Sequence, residues 1–561
     1  MWARRCWSCS EKRVAHVRRA VVAAILMAGA VGAARSEPFK VRGIKGLWWQ
    51  GIANYRKALP WLAEHKLNFL MLCYTSFSAS GTDWRSDYTA EEKEQIRALA
   101  SEGRRLGVDV CLAFNPGIWS KPPLVYANEQ DYQAALDKVK TVHALGVRWF
   151  ALCLDDISRA LEPADAARFG TLEAAQVYFV NRLWRDMKKL RPRPRLIFCP
   201  STYLTADAAQ HLDYITTIGR GIDPEVMMFW TGPQCCSASI TAEDARAFGK
   251  WIRRKPFVWD NYPVNDMYAW RPLLGPLRNR SADLGREVSG YIANPMKQWR
   301  ISTIPLTTTA VYLNDPDGYD PDRAIETAIK SFPADQQRAV RLLVELYGSS
   351  FWGEPGFPPQ PQKLGRDEAA RVLPRYRALC RELARCEGLA DVWEEVKATV
   401  EGDIAWLERR SMDRRTQSPL SARGDDFEGG AGSVFGYRRY DRAVNYVYAR
   451  PTGYDTMSAV FYLDDVPVGG AALRLVGRNG DTGKPARVRI TLNDMALVDG
   501  DAVFGWADFE TRTFEIPASA LKPGANTLVI ANLEGEGVPG MPPWFMVAEA
   551  EIIPKGAADR H

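Results

Sequence analysis

The sequence has few residues of the types that hold metals, and it lacks a dinucleotide-binding motif. Its 5 His, at positions 16, 65, 143, 211 and 561, lie far apart. Beyond residue 36, no two of its cysteines form a Cys-x-x-Cys pair. No glycine-rich fingerprint follows the first predicted strand. These absences predict a protein that needs no metal and no other cofactor.

Long hydrophobic runs are also missing after the first 36 residues. Residues 1–36 combine a basic stretch with the apolar run Val21 to Ala34 and end in small residues. That run is shorter than the roughly 20 residues needed to span a bilayer. Residues 1–36 are therefore predicted to be an export signal peptide, and the protein to be periplasmic or secreted. We expect no membrane span in the remainder.

The chain lacks an excess of either charge once that segment is set aside. Its formal net charge is +6, and residues 1–36 carry seven Lys or Arg against one acidic residue, which accounts for the whole excess. A net charge near zero gives no general attraction to nucleic acid or anionic lipid. Nucleic acid is therefore excluded as the expected partner, and oligomeric state is left open.

Short apolar runs alternate with helical patterns from Val41 to about Tyr312. Strands that alternate with helices predict a parallel sheet. Eight repeats in this length fit a closed (β/α)8 TIM barrel better than an open doubly wound sheet. The predicted strands are Val41–Trp48, Leu67–Tyr74, Val108–Phe114, Val147–Leu154, Arg195–Cys199, Val226–Trp230, Pro256–Trp259 and Val288–Ala293. The predicted helices include Ala53–His65, Glu91–Leu106, Asp131–Leu145, Leu172–Leu190 and Ala242–Arg253.

The α/β barrel, assigned to residues 37–320, is predicted to be followed by two further units. Residues 321–411 have apolar residues at helical spacing and are expected to form a helical domain packed on the barrel. Residues 412–425, rich in Ser, Arg and Gly, are predicted to be a linker. Alternating runs between Gly, Pro, Asn and Asp turns over residues 426–555 predict a β-sandwich.

One turn in the sandwich region has a distinctive sequence. Leu521 to Asn526 read LKPGAN before the strand TLVIAN, and this segment resembles galactose-binding-like jelly-roll modules. Such modules bind glycans in some proteins and only pack against a catalytic domain in others, and both interpretations stay open. Trp506 and Trp544 are candidates for a sugar platform or for buried core positions.

Asp155 and Asp156 directly follow the fourth predicted strand. In a barrel the active face is built from the loops after the strand carboxyl ends. Adjacent carboxylates repel each other, so one tends to keep its proton near neutral pH and becomes a general acid. The structural alternative is that one of them caps the following helix or turn. Polar and aromatic residues after strands five to eight favour the catalytic interpretation.

These segments together resemble family 84 glycoside hydrolases, the O-GlcNAcase and bacterial β-N-acetylglucosaminidase family. The match covers most of the barrel, in the family's order, each segment after its own strand. The matching segments are ALCLDDI at 151–157, AAQVYFVN at 174–181, FCPSTY at 198–203, FWTGP at 229–233, WDNYPVND at 259–266 and ANP at 293–295.

The resemblance implies a retaining exo-β-N-acetylglucosaminidase that works by substrate-assisted catalysis, in which the 2-acetamido oxygen attacks the anomeric carbon to form an oxazoline. It implies that Asp155 orients the acetamido group and that Asp156 is the general acid and base. The positions matching the family's substrate-binding residues are Gly46, Tyr203, Thr231, Trp259, Asn261, Asp266 and Asn294. Structural alternatives remain, since Trp259 could fill the barrel top and Asn294, before Pro295, could shape a turn.

The sequence departs from the family after the first two strands. The family has Glu-Gly-Phe-Tyr-Gly after strand one, whereas this chain has KGLWW at 45–49 and keeps only Gly46. After strand two the family's sugar-contacting lysine is missing from CYTSFS at 73–78, although WR at 84–85 still resembles the family. Contacts to the sugar ring, and with them the substrate range, are therefore expected to differ.

Three functions remain open at this point. The first is hydrolysis of N-acetylglucosamine from glycoprotein glycans, glycosaminoglycan fragments or chitin-derived oligosaccharides. The second is a hydrolase of the same architecture for another 2-acetamido sugar, which the altered loops would permit. The third is a catalytically inactive glycan-binding protein, against which the retained Asp155, Asp156 and Tyr203 argue.

Overall fold

The computed structural model describes residues 38–46, 51–74, 84–117, 122–266, 271–349, 364–412, 419–431, 443–480, 485–505, 508–537 and 543–556. The side chains of residues 51–54 are outside this description. The predicted signal peptide, residues 1–36, also lies outside the described residues.

Eight parallel strands form a closed barrel, and this confirms the predicted TIM barrel. Closure is visible in the first strand, because Gly43 of β1 pairs with Phe69 of β2 on one side and with Ile292 of β8 on the other. The strands are β1 Arg42–Lys45, β2 Phe69–Leu72, β3 Asp109–Phe114, β4 Trp149–Cys153, β5 Arg195–Cys199, β6 Met227–Trp230, β7 Phe257–Pro263 and β8 Gly290–Asn294. In this arrangement all eight carboxyl ends face one rim.

Helices surround the barrel, and their ends follow from local sequence. Thr89 caps the second helix in a capping box with Glu92, and Gly107 ends it in the left-handed conformation, with φ of 72°. The helices are α1 Gly51–Glu64, α2 Ala90–Leu106, α3 Glu129–Ala144, α4 Pro163–Phe169, α5 Leu172–Met187, α6 Thr205–Gln210, α7 Leu212–Gly221, α8 Ala242–Ile252 and α9 Trp299–Asn314. The short α4, α6 and α7 were not predicted, because they are too short for a clear helical period.

The seventh strand is longer than predicted. The sequence places its end at Trp259, whereas β7 continues to Pro263. Strand alternation therefore applies to the residues after Trp259. Asp260 is fully buried and forms a bidentate ion pair with Arg280, at 2.8 and 2.9 Å. Trp259 and Asn261 point to the other side of the strand, where they line a cavity.

A group of helices follows the barrel: α10 Pro321–Lys330, α11 Gln337–Leu346, α12 Arg366–Arg385 and α13 Ala390–Ser411. They share an apolar core and are joined to the barrel by a buried ion pair. Arg271, which follows β7, donates two hydrogen bonds of 2.8 and 2.7 Å to the carboxylate of Asp403 in α13. Tyr347 also donates to Asp403, at 2.7 Å. Among the residues that the structure describes, no helix is both long and apolar enough to cross a membrane.

Two antiparallel sheets form the C-terminal region. Their strands are β9 Ser421–Arg423, β10 Glu428–Gly429, β11 Asn445–Val447, β12 Thr456–Leu463, β13 Ala471–Asn479, β14 Arg487–Leu492, β15 Met495–Ala502, β16 Glu510–Ile516, β17 Gly524–Asn532 and β18 Phe545–Pro554. One sheet has the order β10-β12-β17-β14-β15, and the other has the order β11-β18-β13-β16, with β9 added on β18. The turn before β17 is held by the buried Asn526, which accepts a hydrogen bond of 3.0 Å from the Lys522 backbone.

The linker predicted over 412–425 is wrong in its last residues. Ser421–Arg423 form β9 and pair with β18, and the Asp425 carbonyl accepts a hydrogen bond of 3.3 Å from Trp406 Nε1 of α13. A polar, glycine-containing composition is typical of linkers, but here backbone pairing with a distant strand decides the structure. Trp544 is buried against Tyr446 and offers no exposed sugar platform, and Trp506 lies outside the described residues.

Candidate active site

A cavity of about 130 Å³ opens at the carboxyl ends of the barrel strands. Eight of the nine predicted site residues line it. The lining residues are Lys45, Tyr74, Asp155, Asp156, Cys199, Tyr203, Thr231, Cys235, Cys236, Trp259, Asn261, Val264, Asp266 and Asn294. The barrel fold therefore brings together residues that are up to about 250 positions apart in the sequence, as the rule for such barrels requires.

Gly46 is the predicted site residue that does not line this cavity. A Cβ atom at this position would lie 2.2 Å from the Tyr55 hydroxyl and 2.6 Å from the Met71 carbonyl oxygen. The structure thus explains glycine here by the close approach of α1 and β2 to the end of β1.

Asp155 is buried at the floor of the cavity. Its Oδ2 accepts a hydrogen bond of 3.3 Å from the Tyr74 hydroxyl. The Asn115 side chain lies behind it and donates from Nδ2 to the Asp155 backbone oxygen at 3.1 Å and to Oδ1 at 3.4 Å. Two neighbouring strand ends therefore fix the orientation of this carboxyl group.

Asp156, in contrast, is exposed at the mouth of the cavity. Its backbone has φ of 53°, in the left-handed region that few residues other than glycine, asparagine and aspartate adopt. Its Oδ1 accepts a hydrogen bond of 3.0 Å from the Tyr203 hydroxyl. The left-handed turn separates the directions of the two adjacent side chains, so that they meet different surroundings.

The two carboxyl groups differ in their electrostatic environment. Burial, and then the charge of Asp156, raise the pKa of Asp155 to about 7, while the nearby ammonium of Lys45 opposes the rise. Burial also raises the pKa of Tyr203 well above its usual range, so its hydroxyl remains a hydrogen-bond donor to Asp156. Asp155 therefore keeps its proton up to about pH 7 while the cavity is empty.

An amide network forms the wall contributed by β7 and β8. Trp259 Nε1 donates to Asn261 Oδ1 at 3.0 Å, and Asn294 Nδ2 donates to the same oxygen at 2.9 Å. Asn261 Nδ2 donates in turn to the Cys235 carbonyl oxygen at 2.9 Å. The Trp259 ring packs edge-to-face on Phe229, with centroids 5.1 Å apart, which fixes the indole plane.

Thr231 and Asp266 complete the site in different ways. The buried Thr231 donates from Oγ1 to the Gln234 carbonyl oxygen at 2.9 Å, so it holds the loop after β6 in shape. Asp266 is exposed at the rim. The buried Asn265 beside it donates to the Arg271 carbonyl oxygen and to the Gln298 side chain, each at 2.9 Å, and anchors this rim segment to the protein.

The sequence reasoning missed six lining residues: Lys45, Tyr74, Cys199, Cys235, Cys236 and Val264. It also missed Asn115 behind Asp155. Lys45 ends β1, and Tyr74 and Asn115 follow β2 and β3 closely. The strand-end rule, applied to strands two and three as it was to strands four to eight, would have found Tyr74 and Asn115. Lys45 was missed because the first strand was predicted to extend to Trp48.

A larger cavity of about 200 Å³ lies between α12, α13 and the sandwich. It is lined partly by Arg366, Arg410, Asp426, Glu428 and Tyr462. Arg410 and Glu428 are paired with each other at 3.0 Å. The barrel cavity, in contrast, combines two adjacent carboxyl groups, a tyrosine donor, an indole wall and amide groups. These are the components of acid–base chemistry on a polar ligand with an apolar face.

Comparisons with known proteins identify the family. The sequence matches a family model described as beta-N-acetylglucosaminidase over residues 45–345, more than half of the chain. It is similar to the Protein O-GlcNAcase of Mus musculus, with 29% identity over 332 residues that cover 58% of this chain and 35% of the mouse protein. The corresponding protein of Rattus norvegicus is 29% identical over 270 residues, which cover 47% of this chain and 28% of the rat protein.

The chain thus spans about a third of the length of the curated relatives it matches. Among solved structures, a mutant of the Thermobaculum terrenum O-GlcNAc hydrolase superposes with a TM-score of 0.57 and 22% identity, covering 66% of this chain and 82% of that chain. This likeness supports the fold. The chain belongs to the β-N-acetylglucosaminidase family, glycoside hydrolase family 84.

Proposed function

We propose that this protein is a retaining exo-β-N-acetylglucosaminidase that uses the 2-acetamido group of its substrate as the nucleophile. The observation that carries the proposal is the pair Asp155 and Asp156, adjacent in sequence but held in a buried and an exposed environment of one cavity.

In the proposed first step, the acetamido oxygen attacks the anomeric carbon while the bond to the leaving oxygen breaks. Asp156 gives its proton to that oxygen, and Asp155 accepts a hydrogen bond from the acetamido N–H. In the second step Asp156 removes a proton from water, which attacks the anomeric carbon and opens the oxazoline. The acetamido group is restored and the sugar keeps its original configuration.

The proton distribution supports these roles once substrate is considered. In the empty cavity the raised pKa, about 7, belongs to Asp155, the residue proposed to be charged during catalysis. A hydrogen bond donated by the acetamido N–H favours the charged form of Asp155. Substrate binding therefore shifts the shared proton towards Asp156, beside the leaving oxygen, and couples recognition of the acetamido group to activation of the acid.

The remaining cavity residues supply recognition. The indole of Trp259 offers an apolar face on which a pyranose ring can stack. Asn261, Asn294 and Asp266 offer amide and carboxylate groups for the acetamido group and the hydroxyls. The substrate class is a terminal β-linked N-acetylglucosamine on a glycoprotein glycan, a glycosaminoglycan fragment or a chitin-derived oligosaccharide.

The test is release of 4-nitrophenol from its β-N-acetylglucosaminide by the purified protein. The β-glucoside serves as substrate control, and the Asp155→Ala, Asp156→Ala double variant, purified in parallel, controls for contaminating hexosaminidases. Cleavage of the acetamido sugar alone, lost in the double variant, is the expected result. Cleavage of neither sugar, or equal cleavage of both, contradicts the proposal.

The two alternatives predict different outcomes in the same assay series. A hydrolase for another 2-acetamido sugar would cleave the β-N-acetylgalactosaminide faster than the glucosaminide. A binding protein without turnover would bind N-acetylglucosamine in a calorimeter and release no product. The departures at 45–49 and 73–78 make the sugar panel necessary.

We also propose that the protein is exported through residues 1–36. The basic stretch followed by the apolar run Val21 to Ala34 supports this. N-terminal sequencing of the protein recovered from the periplasm or medium of an expressing bacterium tests it. We expect a mature protein that begins near residue 37, whereas full-length protein confined to the cytoplasm contradicts export.

A further inference from the structure

Lys45 is a buried lysine at the end of β1, and it lines the catalytic cavity. Only 6% of the surface of Lys45 is exposed. Its Nζ lies 4.4 Å from the centroid of the Trp259 ring and 6.0 Å from that of Tyr74. These cation–π contacts place the ammonium group against the indole wall of the site.

The described residues offer this ammonium no polar partner. Within the part of the chain that the structure describes, Lys45 Nζ donates no hydrogen bond and forms no ion pair within 4.0 Å. A buried ammonium with three unused donors is costly, unless water or a ligand in the adjoining cavity accepts from it. On its cavity side, Lys45 therefore has a binding position that none of the described residues occupies.

We propose that Lys45 is a substrate-binding residue that donates a hydrogen bond to a hydroxyl oxygen of the terminal sugar. The proposal rests on the proposed function. The proposal adds to that function that the substrate is a neutral sugar. Asp155, Asp156 and Asp266 line the same cavity and repel a sulfate or carboxylate on the ring. The stacked Trp259 limits the positions open to the ammonium and so directs the bond.

This position also explains a departure noted in the sequence. The lysine expected after strand two is missing, and a lysine stands instead at the end of strand one. The cation thus reaches the cavity from β1, on the side of Trp259 and Asp155. The loss of one lysine and the presence of Lys45 thus change the position of the cationic hydrogen-bond donor within the site, and the site keeps such a donor.

The experiment compares Lys45→Met with wild type in the full protein. Methionine keeps the length and apolar contacts of the side chain but removes the charge. The exposed Lys57 on α1 provides the control variant Lys57→Met. Calorimetric affinity for the thiazoline analogue of N-acetylglucosamine and steady-state cleavage of the 4-nitrophenyl β-N-acetylglucosaminide are measured for each protein, after a single cooperative melting transition establishes that each is folded.

We expect Lys45→Met to weaken thiazoline binding by about 10- to 100-fold, the usual effect of losing a hydrogen bond to a charged group. Lys57→Met should bind like wild type. The 3-deoxy, 4-deoxy and 6-deoxy substrates then identify the acceptor, because the effect of Lys45→Met disappears for the sugar that lacks the contacted hydroxyl.

Two results overturn the proposal. One is unchanged thiazoline affinity in Lys45→Met, and the other is an equal loss with all three deoxy sugars, which would leave only an electrostatic effect on Asp155. The proposed function is tested separately by wild-type turnover. If wild type binds thiazoline but releases no product, the function fails while the Lys45 comparison still stands.

A second feature, independent of Lys45, is the pair of adjacent cysteines Cys235 and Cys236 in the loop after β6. Both are free, half-buried thiols that line the catalytic cavity. Asn261 Nδ2 lies 3.5 Å from Cys235 Sγ and donates to the Cys235 carbonyl at 2.9 Å. Hydrogen bonds from Thr231 and Ser237 to the Gln234 carbonyl, at 2.9 and 3.0 Å, hold the loop in place.

The two thiols also interact with each other. Their interaction lowers the pKa of Cys235 and raises that of Cys236. In the part of the chain that the structure describes, no group of three or more His, Cys, Asp or Glu is arranged to hold a metal ion. The site thus offers two soft ligands and suits a reagent that needs two sulfurs.

We infer that Cys235 and Cys236 form a dithiol site for trivalent arsenicals, and that the adduct blocks sugar binding. An organoarsenic oxide forms two As–S bonds with the pair. The two thiol protons leave with the arsenic-bound oxygen as water, and arsenic stays trivalent, so no oxidant or reductant is needed. The adduct would lie beside Asn261, Asp156 and Asp266 in the cavity.

Phenylarsine oxide is the probe, and intact-protein mass spectrometry with thiazoline calorimetry gives readouts independent of turnover. We expect one adduct per chain that abolishes thiazoline binding, is prevented by bound thiazoline and is reversed by a dithiol. Cys235→Val should form no stable adduct, whereas Cys380→Val, outside the cavity, should react like wild type. An adduct that persists in Cys235→Val, or one that leaves thiazoline affinity intact, overturns the inference.

Discussion

The hydroxyl of Tyr203 donates a hydrogen bond of 3.0 Å to Oδ1 of Asp156, the exposed member of the carboxylate pair. Tyr203 follows β5, and Asp156 follows β4 in the left-handed conformation. Adjacent strand ends thus orient the proposed general acid from outside its own turn, while Asn115 and Tyr74 orient its neighbour Asp155.

Replacing Tyr203 with phenylalanine removes this hydrogen bond and keeps the ring. We expect kcat for the 4-nitrophenyl β-N-acetylglucosaminide to fall by about 10- to 100-fold, as for other hydrogen bonds to charged groups. The surface variant Tyr178→Phe should retain the wild-type rate. A Tyr203→Phe enzyme as fast as wild type would remove Tyr203 from the orientation of the acid.

Asp156→Asn should separate good from poor leaving groups. An acidic phenol leaves without a proton, so activated aryl glycosides lose little. Natural glycosidic bonds and alkyl glycosides should lose about 10² to 10⁴ in rate, since they need the general acid. The measurement is the cleavage rate for a series of aryl glycosides. In Asp156→Asn this rate should fall more steeply with rising leaving-group pKa than it does in wild type.

Asp155→Asn provides the contrasting case for the same series. Its proposed contact is with the acetamido group, which must attack whatever the leaving group is. We expect losses of similar size for aryl and alkyl glycosides. Equal behaviour of the Asp155 and Asp156 variants would argue against the division of roles.

The pH dependence follows from the shared proton. The pKa of Asp155 is raised to about 7 by burial and by the charge of Asp156. Above that value Asp155 is ionised, so the proton that substrate binding would pass to Asp156 is lost. We therefore expect kcat/KM to fall as the pH rises through about 7.

Lys45 allows this assignment to be checked. Its ammonium lowers the pKa of Asp155, so Lys45→Met should move the alkaline limb of the kcat/KM profile to higher pH. The Lys57→Met control should leave the profile in place. An alkaline limb that does not move in Lys45→Met would mean that it reports a group other than the carboxylate pair.

Much of this site could be predicted from sequence, because one rule covers it. Asp155, Tyr203 and Asn294 stand at or just after the carboxyl ends of strands with clear apolar runs, and a closed barrel directs such residues to one rim. Trp259 was found because it ends the apolar run of strand seven, although β7 itself continues to Pro263. The same rule missed Lys45, whose position at a strand end was hidden by a predicted strand that extended to Trp48.

Other features depend on tertiary contacts that no local pattern reports. Cys235 reaches the cavity through a loop that is shaped by Thr231 and Gln234, and not through a strand end. The short strand β9 has a linker-like composition and is defined only by its pairing with β18. Arg271 and Asp403 are 132 residues apart, and neither has a neighbour that reveals its partner.

Stability should also depend on Asp155. Its folded-state pKa, about 7, lies above the unfolded value of roughly 3.9. Below the unfolded value both states are protonated, and the folded state then loses relative stability as the pH rises from there to about 7. Asp155→Asn removes this loss, so the variant should melt at a higher temperature than wild type at pH of about 8 and at the same temperature below pH of about 4.

Thermal melting over this pH range measures the effect, with Asp213→Asn on the exposed face of α7 as control. The expected difference at high pH is on the order of 4 kcal/mol, since each unit of pKa shift corresponds to about 1.4 kcal/mol. A protein that holds a reactive carboxyl group at a cost in stability becomes more stable when that group is replaced. Equal melting temperatures at all pH values would contradict the raised pKa.

The buried ion pair between Arg271 and Asp403 should link the helical region to the active site. Their side chains are 7% and 1% exposed, and removing one partner of such a pair leaves a buried charge unpaired, at a cost of about 3 to 5 kcal/mol. Asn265, next to Asp266, donates to the Arg271 carbonyl oxygen at 2.9 Å, so a shift of Arg271 reaches the cavity rim. We therefore expect Asp403→Leu to lower the melting temperature and, at temperatures where it remains folded, to raise KM more than it lowers kcat.

The surface pair Arg377 and Glu408 provides the matched control for this prediction, because Glu408→Leu breaks an exposed ion pair and should change neither the melting temperature nor KM measurably. If Asp403→Leu lowers stability but leaves KM unchanged, the pair stabilises the helices alone and the rim is held by Asn265 and its other partner, Gln298.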